Sequence, residues 1–180
     1  MQQFEACSLP DHRVTWQQRS DNVGPPAVGI AKTPLGRVRV VLYGSVIVAF
    51  DLLDHGRECG PLPDSFEEDD QAAQMVMTSV FGEEPAVFEV APEGTAFQQA
   101  VWRELLRIPY GSTITYGEVA RRLGRTPSAA RAVGGAVGSN PIAILIPCHR
   151  VMGAANKLTG FGWGLERKEW MLRAEGALLI

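Results

Sequence analysis

Apolar and polar positions alternate between Val28 and Leu52, with a period that fits strands. Gly29–Thr33 reads as a short strand and Pro34-Leu35-Gly36 as a turn. Arg37–Leu42 is an alternating, β-branched strand. Tyr43-Gly44-Ser45 turns the chain again, and Val46–Leu52 completes a three-stranded meander. Asp54–Ser65 is rich in Gly, Pro and Asp and reads as a loop. Glu67–Phe81 then changes to a helical period, with Ala72, Met75, Val76 and Val80 on one face and four acidic residues at its start, where the helix macrodipole favours them. Val87–Val90 fits one more strand. Residues 1–26 are polar, end in Gly24-Pro25-Pro26, and read as a loosely ordered arm.

Beyond Ala91-Pro92-Glu93-Gly94 the pattern turns helical. Thr95 is placed to cap a helix over Ala96–Arg107, with Phe97, Val101, Leu105 and Ile108 on one face. Pro109-Tyr110-Gly111-Ser112 stops it. Thr115 caps a helix over Tyr116–Leu123, Gly124 ends it, and Pro127 opens another that runs to Ala136. Two short helices around a short turn form a helix-turn-helix. The expected organisation is an arm (1–26), an α/β domain (27–93) and a mainly helical domain (94–180).

The last helix of that pair carries Ala129, Ala130, Ala132, Gly134, Gly135, Ala136 and Gly138. A helix that reads bases in a major groove needs Asn, Gln or Arg at several exposed positions, and this one has Arg131. Its slimness fits a narrow groove, or equally close packing against another helix.

Charge sharpens the division. Residues 1–100 hold 6 Lys+Arg and 15 Asp+Glu, a balance of −9; residues 101–180 hold 11 and 5, a balance of +6; these sum to the chain's −3. A basic C-terminal half suits a polyanion. Three scattered cysteines argue against a disulfide framework and for the reducing cytoplasm. No run of about 18 apolar residues marks a membrane span, and Met1–Glu5 shows no secretory signal. Cys7, His12, His55 and Cys59 have the residue types of a zinc site but not its usual short spacing, so no metal is expected.

The stretch richest in chemistry is Ile146-Pro147-Cys148-His149-Arg150-Val151. A thiol is a strong nucleophile as thiolate, and an adjacent imidazole held by a carboxylate can take its proton. Cys148 is otherwise a small buried hydrophobe, as free cysteines commonly are.

Asn140-Pro141, the apolar Ile142–Ile146 and Pro147-Cys148-His149-Arg150-Val151 together resemble the active-site signature of the O6-alkylguanine-DNA alkyltransferases. Further motifs in the same order extend the resemblance from Gly94 to Gly176: Phe97-Gln98-Gln99-Ala100-Val101-Trp102, Ile108-Pro109-Tyr110-Gly111, Thr115-Tyr116-Gly117-Glu118-Val119-Ala120 and Arg131-Ala132-Val133-Gly134-Gly135-Ala136. The first ninety residues match loosely.

The resemblance implies a ribonuclease-H-like α/β domain followed by a winged helix-turn-helix. It implies a suicidal repair protein that moves the alkyl group of O6-alkylguanine in double-stranded DNA onto Cys148. The DNA is held through its minor groove, the protein acts as a monomer, and no cofactor takes part. By the same resemblance, His149 is the base, acting through a water, Glu175 orients it, Tyr116 donates to guanine N3, and Asn140 ties the active-site turn to the helix-turn-helix. Arg131 is the finger that fills the gap left by a flipped nucleotide. Ala129, Ala130 and Gly134 line the groove-facing helix. The Gly162 N–H donates to O6, and the carbonyls of Cys148 and Val151 accept from the exocyclic amine.

Phe161, Gly162 and Trp163 depart from the commonest family pattern at the pocket wall; Trp163 is expected to narrow the pocket mouth and favour methyl over benzyl adducts. Three rivals stay open: a lesion sensor without repair activity, a helix-turn-helix regulator, and a Cys–His hydrolase.

Overall fold

The computed structural model describes residues 9–18, 24–54 and 61–178. The chain divides between Pro92 and Glu93 into two compact units.

The first unit is built on a six-stranded sheet. Strands β2 (Ala27–Thr33), β3 (Gly36–Tyr43) and β4 (Val46–Leu52) form the antiparallel meander read from the alternation. It is the centre of something larger. Strand β6 (Val87–Val90) runs parallel to β4, and β1 (Arg13–Trp16) runs parallel to β6, pairing Arg13 with Val87 and Trp16 with Val90. The arm expected over residues 1–26 therefore contains a sheet strand. Four residues with two polar side chains are too short to show an alternation, so pairing with β6 orders them.

On the other side, Glu67–Glu68 form a two-residue strand, β5, parallel to β2. These residues were expected in the first turn of the following helix. Helix α1 starts later, at Asp70, because the Asp69 side chain accepts the Ala72 N–H at 2.8 Å and fixes the N-terminus there. Helix α1 (Asp70–Val80) then covers the edge of β2: Asp70 accepts the Ile30 N–H at 2.7 Å and Gln74 accepts the Lys32 N–H at 2.9 Å. Paired edges are protected from unwanted strand addition. With Asp70 and Gln74 turned to the strand, Ala73, Met77 and Val80 face the core, and Met75 is 64% exposed. The expected stripe of Ala72, Met75, Val76 and Val80 was rotated by about one position. Gly29 permits the close approach, since a Cβ there would lie 2.1 Å from the Asp69 carbonyl oxygen.

The second unit is mainly helical. Helix α2 (Ala96–Leu105) opens with a capping box between Thr95 and Gln98. Its core side, Val101, Trp102 and Leu105, is fully buried, and Phe97 is half-buried. Thr115 caps α3 (Tyr116–Arg122) as expected. The next helix enters through a 3-10 turn over Pro127–Ala129 and becomes α4 at Ala130–Gly138. The Trp102 indole N–H donates to the Ala136 carbonyl at 2.8 Å, tying α2 to α4. Strands β7 (Ile114–Thr115) and β8 (Val151–Met152) form a short parallel ladder, and α5 (Leu165–Ala174) closes the unit. No helix among the described residues is long and apolar enough to cross a membrane.

Cys7, His55 and Cys59, three of the four weighed zinc ligands, lie outside the described residues. The fourth, His12, has both ring nitrogens bonded to backbone, at the Val80 carbonyl and the Ala86 N–H.

Candidate active site

Every element of the site comes from the second unit. After α4 the chain folds into a tight turn over Ile142–Ile146, closed by an Ile146 N–H to Ile142 carbonyl bond of 3.0 Å. Asn140 braces both ends of it. Its Oδ1 accepts the Ile142 N–H at 3.0 Å, and its Nδ2 donates to the Ile146 carbonyl at 2.8 Å. Ile144, at the turn's apex, has φ of 78°, a left-handed backbone that a β-branched residue adopts only when its surroundings enforce it. Pro147 follows and a 3-10 turn over Cys148–Arg150 begins.

Cys148 is 5% exposed and His149 is 0% exposed. His149 Nε2 lies 2.8 Å from Glu175 Oε1. Its other nitrogen, Nδ1, is buried and has no hydrogen-bond partner among the described residues. Glu175 sits at the C-cap of α5, where a carboxylate opposes the helix dipole. Arg150 compensates. Its Nε donates to Glu175 Oε2 at 2.8 Å and its Nη2 to Oε1 at 3.0 Å. Its Nη1 reaches the Ile108 carbonyl at 2.8 Å, and the guanidinium lies 5.6 Å from the centre of the Tyr110 ring.

The electrostatics follow from this packing. Burial pushes the Cys148 thiol up to about 11, against the pull of the Asn140 side chain, Lys168 and the N–H groups of Cys148 and His149. Burial also lowers His149, more than its Glu175 partner raises it, so the imidazole is neutral at pH 7. Burial works against ionisation of Glu175 too, but hydrogen bonds and charge from His149 and Arg150 hold it at about 2. A neutral imidazole oriented by an ionised carboxylate is a competent base, and the thiol requires one.

Tyr116 is half-buried at the start of α3, and its hydroxyl donates to the Gly160 carbonyl at 3.2 Å. Burial, then the neighbouring Cys148, raises its phenol above the usual value. Phe161 and Trp163 pack edge to face with centroids 6.4 Å apart, and Trp163 is 7% exposed. Gly162 is half-buried between them. Val151 is buried on β8.

Arg131 is exposed on α4, with no bonded or paired partner among the described residues. Ala129, Ala130 and Gly134 are half-buried beside it; a Cβ on Gly134 would meet the Tyr116 ring at an ordinary 3.9 Å. Gly135 and Gly138 would meet nothing within 4 Å. Close packing inside the protein therefore does not account for these two glycines.

Two residues of the site were not singled out by sequence reasoning. Arg150 sat inside the quoted motif without a role. Lys168 is 0% exposed and donates from Nζ to the carbonyls of Val151 and, at 2.7 Å, of Thr159. Its signal was helical spacing, since Lys168, Met171, Leu172 and Glu175 fall on one buried stripe of α5.

A mixed α/β fold carrying a buried thiol, a neutral histidine and a clamped carboxylate defines a cysteine-dependent protein built for a single hidden nucleophile. Comparison with known proteins gives the kind. A family model described as the DNA binding domain of 6-O-methylguanine DNA methyltransferase matches residues 96–177. The methylated-DNA–protein-cysteine methyltransferase of Haemophilus influenzae is 43% identical over 150 residues, 79% of this chain and 82% of that one. That of Mycobacterium tuberculosis is also 43% identical over 150 residues, 79% of this chain and 88% of its own. The crystal structure of the M. tuberculosis O6-methylguanine methyltransferase superposes with a TM-score of 0.71 at 40% identity, covering 84% of this chain and 93% of that chain. A structure of the M. tuberculosis protein in complex with DNA superposes at 0.69, with 38% identity over 83% of this chain and 92% of that chain. The chain belongs to the methylated-DNA–protein-cysteine methyltransferase family.

Proposed function

We propose that this protein repairs O6-alkylguanine in double-stranded DNA by moving the alkyl group, typically methyl, onto Cys148, once per molecule. The observation that carries the reading is the buried Cys148 beside a neutral His149, itself held by Glu175 and Arg150.

The thiol proton passes to His149 Nδ1, the unpartnered nitrogen, through a water. Glu175 stabilises the imidazolium. The sulfur lone pair forms the S–CH3 bond as the O6–CH3 bond breaks, and guanine keeps that electron pair. The leaving base is stabilised by the Gly162 N–H toward O6 and takes a proton through the Tyr116 hydroxyl at N3. Tyr116 must first release the Gly160 carbonyl. The carbonyls of Cys148 and Val151 recognise the exocyclic amine and so select guanine. A thioether is inert here, so the protein is consumed and no cofactor is needed.

O6 lies inside the stack, so the nucleotide must be flipped out. Arg131, exposed in the first turn of α4 and without a partner among the described residues, is the side chain that fills the gap. The outward side of α4, with room left at Gly135 and Gly138, suits the backbone walls of a minor groove and carries no base-reading side chain. In finer detail, the first unit is ribonuclease-H-like, the second is a winged helix-turn-helix, and the protein works as a monomer in the cytoplasm. The crystal structure of the M. tuberculosis relative in complex with DNA supports the choice of partner.

Incubation with a duplex containing one O6-methylguanine tests the reading by intact mass. The expected gain is one methylene, located on Cys148 and saturating at one equivalent of duplex. Lesion-dependent binding with no mass gain makes the protein a sensor instead.

A further inference from the structure

Arg167 stands where neither helix electrostatics nor solvent accounts for it. It lies in the first turn of α5, where the macrodipole disfavours a cation, and it is 8% exposed. Burying a guanidinium is costly unless its donors find partners. One of them reaches back to the pocket wall: Nη1 donates to the Trp163 carbonyl at 3.0 Å. The helical ladder opens one residue later, with the Lys168 N–H donating to the Gly164 carbonyl at 3.2 Å. Gly164 has φ of 93°, a backbone that favours glycine, so a single glycine joins the wall to the helix. Its N–H donates to the Phe161 carbonyl at 3.0 Å and closes a four-residue turn with Gly162 and Trp163 at the centre. The Trp163 ring is buried edge to face on Phe161. Arg167 therefore straps this turn to α5 across the glycine.

We propose that Arg167 is a positioning residue for alkyl-size selectivity: its bond to the Trp163 carbonyl holds the Trp163 ring at the pocket mouth. The inference rests on the alkyl-transfer reading and on Trp163 as the residue that narrows the pocket. Backbone rotation at Gly164 carries the ring aside to admit a bulky group, and the strap opposes that rotation. Arg167→Met keeps an apolar stem and leaves the buried carbonyl without this donor. Arg167→Lys keeps a charged donor of similar reach. Arg167 makes and breaks no bond in the step. With a benzyl adduct the S–CH2 bond forms as the O6–CH2 bond breaks, and guanine keeps the electron pair, as it does for methyl.

The test measures single-turnover transfer to Cys148 from methylated duplex and from free O6-benzylguanine. It compares wild type, Arg167→Met and Arg167→Lys in the full chain, each also combined with Trp163→Gly. Arg167→Met should raise the benzyl-to-methyl rate ratio about fivefold, in the range of one lost charge-assisted hydrogen bond. Arg167→Lys should stay close to wild type. In the Trp163→Gly background Arg167→Met should leave the ratio where it is, because the ring it acts through is gone. An unchanged ratio in Arg167→Met, or the same rise with and without the ring, makes Arg167 a strut of α5 and overturns the proposal, even where melting falls. Arg167→Gln supplies the same readout if the Met variant does not fold. A wild type that takes no alkyl group from either guanine substrate overturns the function. Labelling of Cys148 by iodoacetamide and by benzyl bromide, read by peptide mass, then decides the role of Arg167 without guanine. A higher benzyl-to-carbamidomethyl ratio in Arg167→Met upholds that role, and an equal ratio overturns it as well.

Discussion

Arg150 and Glu175 meet along two edges, Nε to Oε2 at 2.8 Å and Nη2 to Oε1 at 3.0 Å. This fork keeps the carboxylate ionised and leaves Oε1 facing His149. Arg150→Lys keeps the charge and loses the fork, so methyl transfer should fall about tenfold. Glu175→Gln removes the charge that stabilises the imidazolium and should cost about a hundredfold. Rapid-quench single-turnover assays on methylated duplex measure both, and unchanged rates would remove the carboxylate from the mechanism.

Acid should unfold the protein in two stages. His149 is lowered by burial, so the unfolded chain binds its proton first; that stability is present above about pH 6.5 and declines below it. Glu175 is held at about 2, so its contribution is present above the usual carboxylate value of about 4.3 and is lost as pH falls toward 2. The carboxylate part is on the order of a few kcal/mol. Thermal melts between pH 7 and 2.5 should show the lower stage flattened in Glu175→Gln.

Gly135→Ala and Gly138→Ala separate stability from binding. Open space surrounds both positions, and Ala is better than Gly in a helix by about 1 kcal/mol. Each variant should melt about 2–4 °C higher. If α4 enters a groove, the added methyl should weaken duplex binding by about tenfold. Higher melting with undiminished binding would move the DNA to another face.

Arg131→Ala should leave the fold intact, since the side chain is exposed and bonds to nothing described. Transfer from duplex should slow about tenfold or more, while reaction with free O6-benzylguanine should hold. Equal losses on both substrates would deny it the part of a finger.

Trp163→Gly tests the size of the acceptor pocket. Trp163 is buried edge-on to Phe161 beside Gly162. The glycine variant should react about tenfold faster with free O6-benzylguanine and at a similar rate with methylated duplex. Identical benzylguanine rates would show that Trp163 does not limit the pocket.

The sequence displayed elements whose periodicity is long and whose caps are local. The β2–β4 meander, α2 with its Thr95 box and α3 after Thr115 could be placed to within a few residues. It hid what depends on distant partners. Strand β1 is recognisable once Val87–Val90 lies beside it. The rotation of α1 follows from Asp70 and Gln74 reaching the edge of β2. In the site, the resemblance marked Cys148, His149 and Glu175, and the fold brings His149 and Glu175 together across 26 positions. Lys168 escaped notice because a lysine in Arg167-Lys168-Glu169 reads as solvated surface. Its spacing with Met171 and Leu172 points to the buried face, but the carbonyls of Val151 and Thr159 that receive its ammonium lie outside the helix and leave no mark in that spacing.

The parallel pairing of β1 with β6 also orders events during synthesis. His12 and Ala86, bonded at the head of that ladder, are 74 positions apart. The meander and α1 are complete in the chain before residue 87 exists, so the first strand made has to wait, unpaired, for nearly the last of its unit. Closing that long loop carries an entropic cost that local hairpins avoid, which makes this edge the slow step in assembling the first unit. A nascent chain that had emerged from the ribosome only as far as Val80 would display a formed meander with its opening strand still unpaired.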